Sequence, residues 1–259
     1  MRRSVLVRSA VLVAVSAMAV AASRVEAQRS SEPGTRPVAY LGLGVIGADP
    51  VGELGAYFDA GAGMQFIGAF PLEPTGRVRL RGDFGIVIYG NERQQFCMSA
   101  PVGCRIELDL NTTNSILFGG LGPEVSLAQG PVEPYLNATF GFTWFGTTSS
   151  LQGESGAEDF ASTTNFSDAV FAWRAGGGLR VQVGGGRTPV SLDFGVERHE
   201  NGVADFLTKG DIVDHPDGSI TLVPNRAEAN LVTFRMGVSV GLPHGSDRDE
   251  GGRTGRGGL

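Results

Sequence analysis

The 259-residue chain predicts an all-β fold, an eight-stranded antiparallel up-and-down barrel, and three features of the sequence carry that prediction. Amphipathic helices of any length are absent, and apolar residues recur instead with a period of two. The connections between these alternating segments are strictly short, then long, then short. In each segment, one of the two faces carries no charge.

The segments are 37–46, 59–70, 77–89, 115–127, 135–145, 169–183, 190–197 and 231–242. The third shows the alternation most plainly. From Arg77 to Ile88 the even positions are apolar apart from Gly82, while the odd positions bring Arg77, Arg79, Arg81 and Asp83. Residues 71–76, 128–134 and 184–189 are short, Gly/Pro-rich connections and predict tight turns at one end. Residues 47–58, 90–114, 146–168 and 198–230 predict large loops at the other.

The uncharged face includes Leu41, Leu43 and Val45, then Phe66 and Phe70, Leu80 and Phe84, Leu121, Phe140, Leu192 and Phe194, and finally Phe234 and Met236. A surface facing water is not written this way. One facing lipid must be, since a charge at mid-bilayer costs about 2–4 kcal/mol. The barrel is therefore expected to be transmembrane, whereas a soluble, lipocalin-like barrel would turn its charges outward. Phe142, Trp144, Phe171 and Trp173 lie on adjacent strands toward the loop end and predict an aromatic girdle.

The opposite face carries eleven charges: Asp59, Arg77, Arg79, Arg81, Asp83, Glu124, Arg174, Arg180, Asp193, Glu197 and Arg235. An eight-stranded barrel is just wide enough to be filled by side chains, and buried charges persist only when paired. Six positive and five negative residues predict an ion-pair network in the lumen. Glycine shares this face. Thirteen of the 17 glycines in the segments fall there, as though to leave room for long arginines. Gly42, Gly44 and Gly47 also spell the G-x-G-x-x-G of a dinucleotide site. That motif needs a helix after it, and Pro50 stands where the helix would run.

Residues 1–27 read as a cleaved export signal: Arg2, Arg3 and Arg8, an apolar core from Val11 to Ala22, and Val25-Glu26-Ala27 as the cleavage site. A linker at 28–36 leads into the barrel, and 243–259 forms a short tail expected to be disordered. Of the chain's 21 basic and 27 acidic residues, four arginines and one glutamate lie in the signal, which leaves 17 and 26. That balance argues against nucleic acid as a partner. Cys97 and Cys104 are most simply a disulfide pinning a small loop in an oxidising compartment. A metal pair is the alternative, though no further cysteine or histidine lies near.

With these features, residues 37–242 resemble the small outer-membrane β-barrel family of the OmpA/OmpX type. Arg235, Gly237, Val240 and Leu242 are similar to that family's C-terminal insertion signal, polar-x-Gly-x-x-hydrophobic-x-hydrophobic. The usual terminal aromatic is missing, and a tail follows. The resemblance implies insertion by the barrel-assembly machinery into the outer membrane of a Gram-negative-type bacterium, among its lipid and lipopolysaccharide.

No catalytic residue, metal or cofactor is expected. Some members of the resembled class are enzymes, one of them an acyltransferase acting on lipid A. His199 with Ser167 or Ser191 could be drawn as such a rim site, but a solvated rim histidine is the plainer expectation. Asp205, Asp211, Asp214 and Asp217 could hold a divalent cation, yet their spacing fits no calcium loop. The expected role is structural or surface interaction through the loops, with an external ligand left open. A narrow solute channel and a rim enzyme are the alternatives.

Overall fold

A computed structural model describes residues 37–100, 103–153, 161–185, 188–215 and 219–243, without the side chains of 96–100, 103–108, 152, 153, 161 and 214. The signal, the linker and the tail beyond Pro243 lie outside the described residues. So do the side chains of Cys97 and Cys104, and with them the disulfide.

The strands are β1 (Ala39–Pro50), β2 (Gly61–Pro71), β3 (Val78–Ala100), β4 (Gly103–Ser126), β5 (Val132–Gly153), β6 (Ala161–Gly184), β7 (Val190–Glu200), β8 (Val203–Phe206), β9 (Ile212–Asp214), β10 (Ile220–Leu222), β11 (Asn225–Glu228) and β12 (Leu231–Leu242). β1 to β7 and β12 pair antiparallel with their chain neighbours. β12 closes on β1, which makes an eight-stranded closed barrel. β8 pairs with β11 and β9 with β10 in two small ribbons between β7 and β12.

The segments 90–114 and 146–168 correct the sequence reading. Their described residues, 90–100, 103–114, 146–153 and 161–168, are not loops but the upper parts of β3–β4 and β5–β6. These four strands run 22 to 24 residues, against 11 or 12 for β1, β2, β7 and β12. β2 leaves β3 at Ala62–Ile88, and β7 leaves β6 at Trp173–Glu200. Above those pairs the barrel opens into a four-stranded wall. Thr, Ser and Asn dominate this stretch, as in Asn111-Thr112-Thr113-Asn114-Ser115 and Thr147-Thr148-Ser149-Ser150. Their β-branched and hydroxyl side chains suit a strand, but their polarity hides them from a search for hydrophobic alternation.

The outer surface is apolar. Phe66, Phe140, Phe171, Leu121 and Met236 all stand exposed on it. The run from Val232 to Leu242, tilted as such strands are, rises about 25 Å, the height of a lipid-facing band. Outward charges appear at the top of the strands: Arg198 and Glu200 on β7, level with Ala175 and Trp173, and Asp49 on β1, which pairs with Val232 as Arg198 does. At the opposite end Glu73 folds the β2–β3 turn. It accepts backbone N–H bonds from Thr75 at 2.8 Å and Arg77 at 2.6 Å. The Thr75 hydroxyl, with these N–H groups, holds its carboxyl down at about 2.

Candidate functional site

The lumen has two storeys. The lower one, toward the tight turns, is ionic. Glu124 on β4 takes Arg180 from β6 in a bidentate pair, Nη1 to Oε1 and Nη2 to Oε2, both 2.8 Å. The same carboxylate accepts Arg79 at 3.2 Å and Arg81 at 3.1 Å, both from β3. Arg81 reaches across the barrel to Glu197 on β7. Arg174 meets Asp83 at 2.5 Å, and Asp193 holds Arg180 at 3.3 Å and Arg235 at 3.1 Å. These groups are almost wholly buried, so each carboxylate needs several donors to replace its water.

Neutral side chains complete the lattice. The Tyr135 hydroxyl donates to Asp193 Oδ1 at 2.7 Å and accepts from Arg235. Gln65 and Asn137 donate to Glu197 at 3.2 and 3.1 Å, and Thr139 donates to Asp83 at 3.2 Å. The Arg79 guanidinium lies 4.4 Å over the Tyr40 ring and that of Arg180 4.3 Å over Tyr135, the range of cation–π attraction.

Two of the eleven expected lumen charges are elsewhere. Asp59 sits exposed in the β1–β2 connection, two residues before β2 begins, and Arg77 is exposed in the turn before β3. One acid was missed. Glu133, at the start of β5, binds Arg79 and lies 3.2 Å from Arg180. The inward parity of Tyr135 and Asn137 runs back to Glu133, but Pro131 and Pro134 made that stretch look like turn. With Arg77 and Asp59 out and Glu133 in, five arginines face five carboxylates among the described residues.

The upper storey is apolar, which the sequence reading did not foresee. Ile46, Val87, Ile116, Phe118 and Phe145 point inward and are buried. The connections fold down onto them: Leu54 from the short 3₁₀ turn Leu54–Ala56, and Phe206, Ala204, Ala227 and Ala229 from the segment between β7 and β12. Phe206 packs edge-on against Tyr57 with ring centres 5.1 Å apart, and Phe58 lies 4.6 Å from Tyr89. Asn201 pins this plug, accepting from Thr143 at 2.7 Å and donating to the Ala229 carbonyl at 2.6 Å. The signal was present in the unbroken apolar runs Val45-Ile46, Ile86-Val87-Ile88, Ile116-Leu117-Phe118 and Trp144-Phe145, which mark strands covered on both faces.

His199 lies where the storeys meet, and it is not the solvated rim residue expected. It is fully buried, edge-on to Phe118 at 4.9 Å, with Nε2 3.1 Å from the Thr233 hydroxyl. The rim site drawn with Ser167 or Ser191 is not assembled. Ser191 pairs with Ser239 near the tight turns, about 27 Å down the same strand. Ser167 pairs with Gly146 in the base of the wall, about 24 Å beyond His199's partner Arg174.

The loop acids are committed to the protein itself. Asp205 accepts from Arg226 at 3.1 Å, and Asp211 accepts from the Thr208 backbone at 2.6 Å. The Asp214 side chain and Asp217 lie outside the described residues. Among the described residues no group of three or more His, Cys, Asp or Glu could hold a metal.

Phe142 and Phe171 are direct cross-strand partners, Trp173 pairs with Phe140, and Trp144 with Ala169; all four ring-bearing girdle candidates face outward. The Trp144 ring lies over Gly146, where a Cβ would collide with it. In the last strand Arg235 turns inward to Asp193, Gly237 lies against the β1 backbone at Gly44, and Val240 and Leu242 face out. The inward glycines make two kinds of room. At Gly195 a Cβ would stand 2.8 Å from Arg235 Nη2, and at Gly120 2.5 Å from Arg174 Nη2, so there the arginines fill the space. At Gly63 and Gly141 it would meet the neighbouring strand's carbonyl, so there the glycine permits the tight coiling of a narrow barrel.

These features define a class: a small closed barrel turned inside out, apolar toward its surroundings and ionic within. No family model and no curated protein matches the chain. Among solved structures it is similar to the neisserial surface protein NspA, at 14% identity over 79% of this chain and 97% of that one, with a TM-score of 0.39. It is similar to Ail, the attachment invasion locus protein of Yersinia pestis, at 11% identity over 79% and 98%, with a TM-score of 0.41. A major outer membrane protein of Thermus thermophilus is similar at 11% identity over 77% and 98%, with a TM-score of 0.35.

Proposed function

We propose that this chain is an integral outer-membrane barrel with a closed lumen, whose work is done by the surface it presents outside the cell. The inversion of its chemistry carries the reading. Large apolar side chains stand exposed around the barrel while arginines and carboxylates are buried inside it. Only a lipid surround makes that arrangement favourable. The export signal, the aromatic girdle of Phe142, Trp144, Phe171 and Trp173, and the insertion pattern ending at Leu242 agree with it. Assembly by the barrel-assembly machinery and contact with lipopolysaccharide follow from the same reading.

The two-storey lumen favours a surface role over a solute pathway. Ion pairs fill the lower half and an apolar plug the upper, and the strands that rise beyond the barrel rim are polar. The fully buried His199, remote from Ser167 and Ser191, favours a non-enzymatic role over a lipid-modifying one.

Envelope fractionation with heat-dependent gel mobility tests the first half of the proposal. Recovery in the outer membrane, with a shift on boiling, is expected; recovery in the soluble periplasm without a shift overturns it. Planar-bilayer recordings test the second half. The expected result is no steady conductance, and a reproducible single-channel step would replace the surface reading with a pore.

A further inference from the structure

Above the plug, the inward face of the wall and the loop around β9 and β10 enclose a cup of about 210 Å³. We propose that this cup binds a neutral, hydroxyl-rich ligand: a monosaccharide-sized end of an uncharged glycan. The inference rests on the reading of the barrel as a surface protein and names the class of ligand it would meet there.

The first argument is the chemistry of the lining. The inward row that carries charge at Glu124 and apolar groups at Phe118 and Ile116 turns to Asn114 and Thr112 at the level of the cup. Across from them, Asn165 donates to the Ser149 hydroxyl at 2.6 Å, and Ser149 lies 2.8 Å from the Thr112 hydroxyl. This relay joins three strands and ends in an amide and a hydroxyl. Thr147 donates to Asn114 Oδ1 at 2.7 Å, which orients that amide as well. A sugar hydroxyl donates and accepts at once, so amides and hydroxyls fixed side by side are its natural partners. Leu110, Ile212 and Ile220 add apolar surface for the C–H face of a ring.

The second argument is charge. Glu92 and Lys209 are the lining's acid and base and balance one another. A sulfated or sialylated ligand would gain no net attraction there, and a phosphate would find no cluster of cations.

The third is preorganisation, since binding to a fixed site spares the entropy of ordering it. The Tyr89 hydroxyl donates to the Leu207 carbonyl at 2.9 Å and fastens the loop to β3 beneath the cup. Asp211 then ties the next turn, accepting the Thr208 backbone at 2.6 Å and hydroxyl at 2.8 Å. The plug closes the cup from below, which makes it a pocket rather than the mouth of a pore.

The test uses the full chain in detergent micelles on an array of immobilised neutral, sialylated and sulfated oligosaccharides and unglycosylated peptides. Capture by a subset of neutral oligosaccharides is expected. Thr163→Val and Asn165→Leu should weaken it about tenfold or more, the effect of one or two lost hydrogen bonds, while Arg226→Ala should leave it unchanged. Thr163 is exposed in the cup wall, so its variant tests the site without risk to folding, and the heat-dependent mobility shift checks both. Capture by sulfated or sialylated probes alone, by peptides, by every variant alike, or by nothing would overturn the glycan assignment. Each of those results, with the protein still in the outer membrane, leaves the barrel reading standing. Recovery in the soluble fraction overturns the barrel reading whatever is bound.

Discussion

The lower and upper halves of the lumen solve one problem in opposite ways. Both must fill a narrow tube with side chains cut off from water. The lower half uses long charged residues from β3, β4, β6, β7 and β12, paired with neighbouring strands and, in Arg81–Glu197 and Arg174–Asp83, across the tube. The upper half uses an ordinary apolar core, and much of it is supplied by connections that fold inward. The difference is one of reach and consequence. The ionic half ties strands to strands, so its loss loosens barrel closure and register. The apolar half ties loops to the rim, so its loss can free the loops while the barrel stays closed.

The largest effect is expected where one carboxylate holds three arginines. Glu124→Ala leaves Arg79, Arg81 and Arg180 without their shared partner and should destabilise the barrel by about 3–5 kcal/mol. The measurement is the denaturant midpoint in micelles, together with the temperature at which the folded gel band disappears. Glu124→Gln, which retains an acceptor of the same shape, should lose less. Equal midpoints for wild type and Glu124→Ala would mean that the lattice is not what closes the barrel.

Phe206→Ala removes a fully buried ring from the plug, a change that costs about 3–5 kcal/mol in a packed core. Here the cost should fall on loop docking. Residues 201–230 should become sensitive to protease and exchange their amides, while the midpoint of the barrel moves much less than in Glu124→Ala. A fall in the midpoint as large as that of Glu124→Ala would show that the two halves unfold as one unit.

The same contrast explains what the sequence made legible. The ionic half was readable because charges at period two inside apolar strands admit only one side of a barrel wall. Arg79, Arg81, Asp83 and Glu124 could face nowhere else. The errors fell at strand ends, where parity has fewest residues to act on. Asp59 and Arg77 lay just outside their strands, and Glu133 just inside one beyond a proline. The apolar half was obscured because Val87 or Phe118 beside outward neighbours reads as a stronger lipid-facing run, and what covers them comes from residues far along the chain. Phe206 and Leu54 carry no local mark of being a plug. The wall and its cup were missed for a third reason: Thr, Ser and Asn in β4 and β5 make strands by pairing, with no apolar period to announce them.

His199, between the halves, should matter little to stability. Leucine there fills the space beside Phe118 and gives up the contact with Thr233, whose hydroxyl keeps the Glu197 carbonyl at 3.5 Å as an acceptor. His199→Leu is expected to cost about 1 kcal/mol, the net worth of one hydrogen bond. The lipid A profile of cells carrying it should match wild type; a changed profile would revive an enzymatic role for this residue.

The smallest effect isolates burial from bonding. Arg226 meets Asp205 at 3.1 Å, the same separation as Arg81 and Glu124. In the first pair the side chains are 70% and 35% exposed, in the second 0% each. At the surface, water screens the attraction and can replace either partner, so Arg226→Ala should change the unfolding midpoint by no more than about 0.5 kcal/mol. In the lumen Arg79, Arg81 and Arg180 are buried, so they keep their desolvation cost with one counter-charge fewer. If Arg226→Ala and Glu124→Ala proved equally mild, geometry rather than burial would set the strength of these pairs, and the lower lumen would be a wet channel lined with charge instead of a sealed lattice.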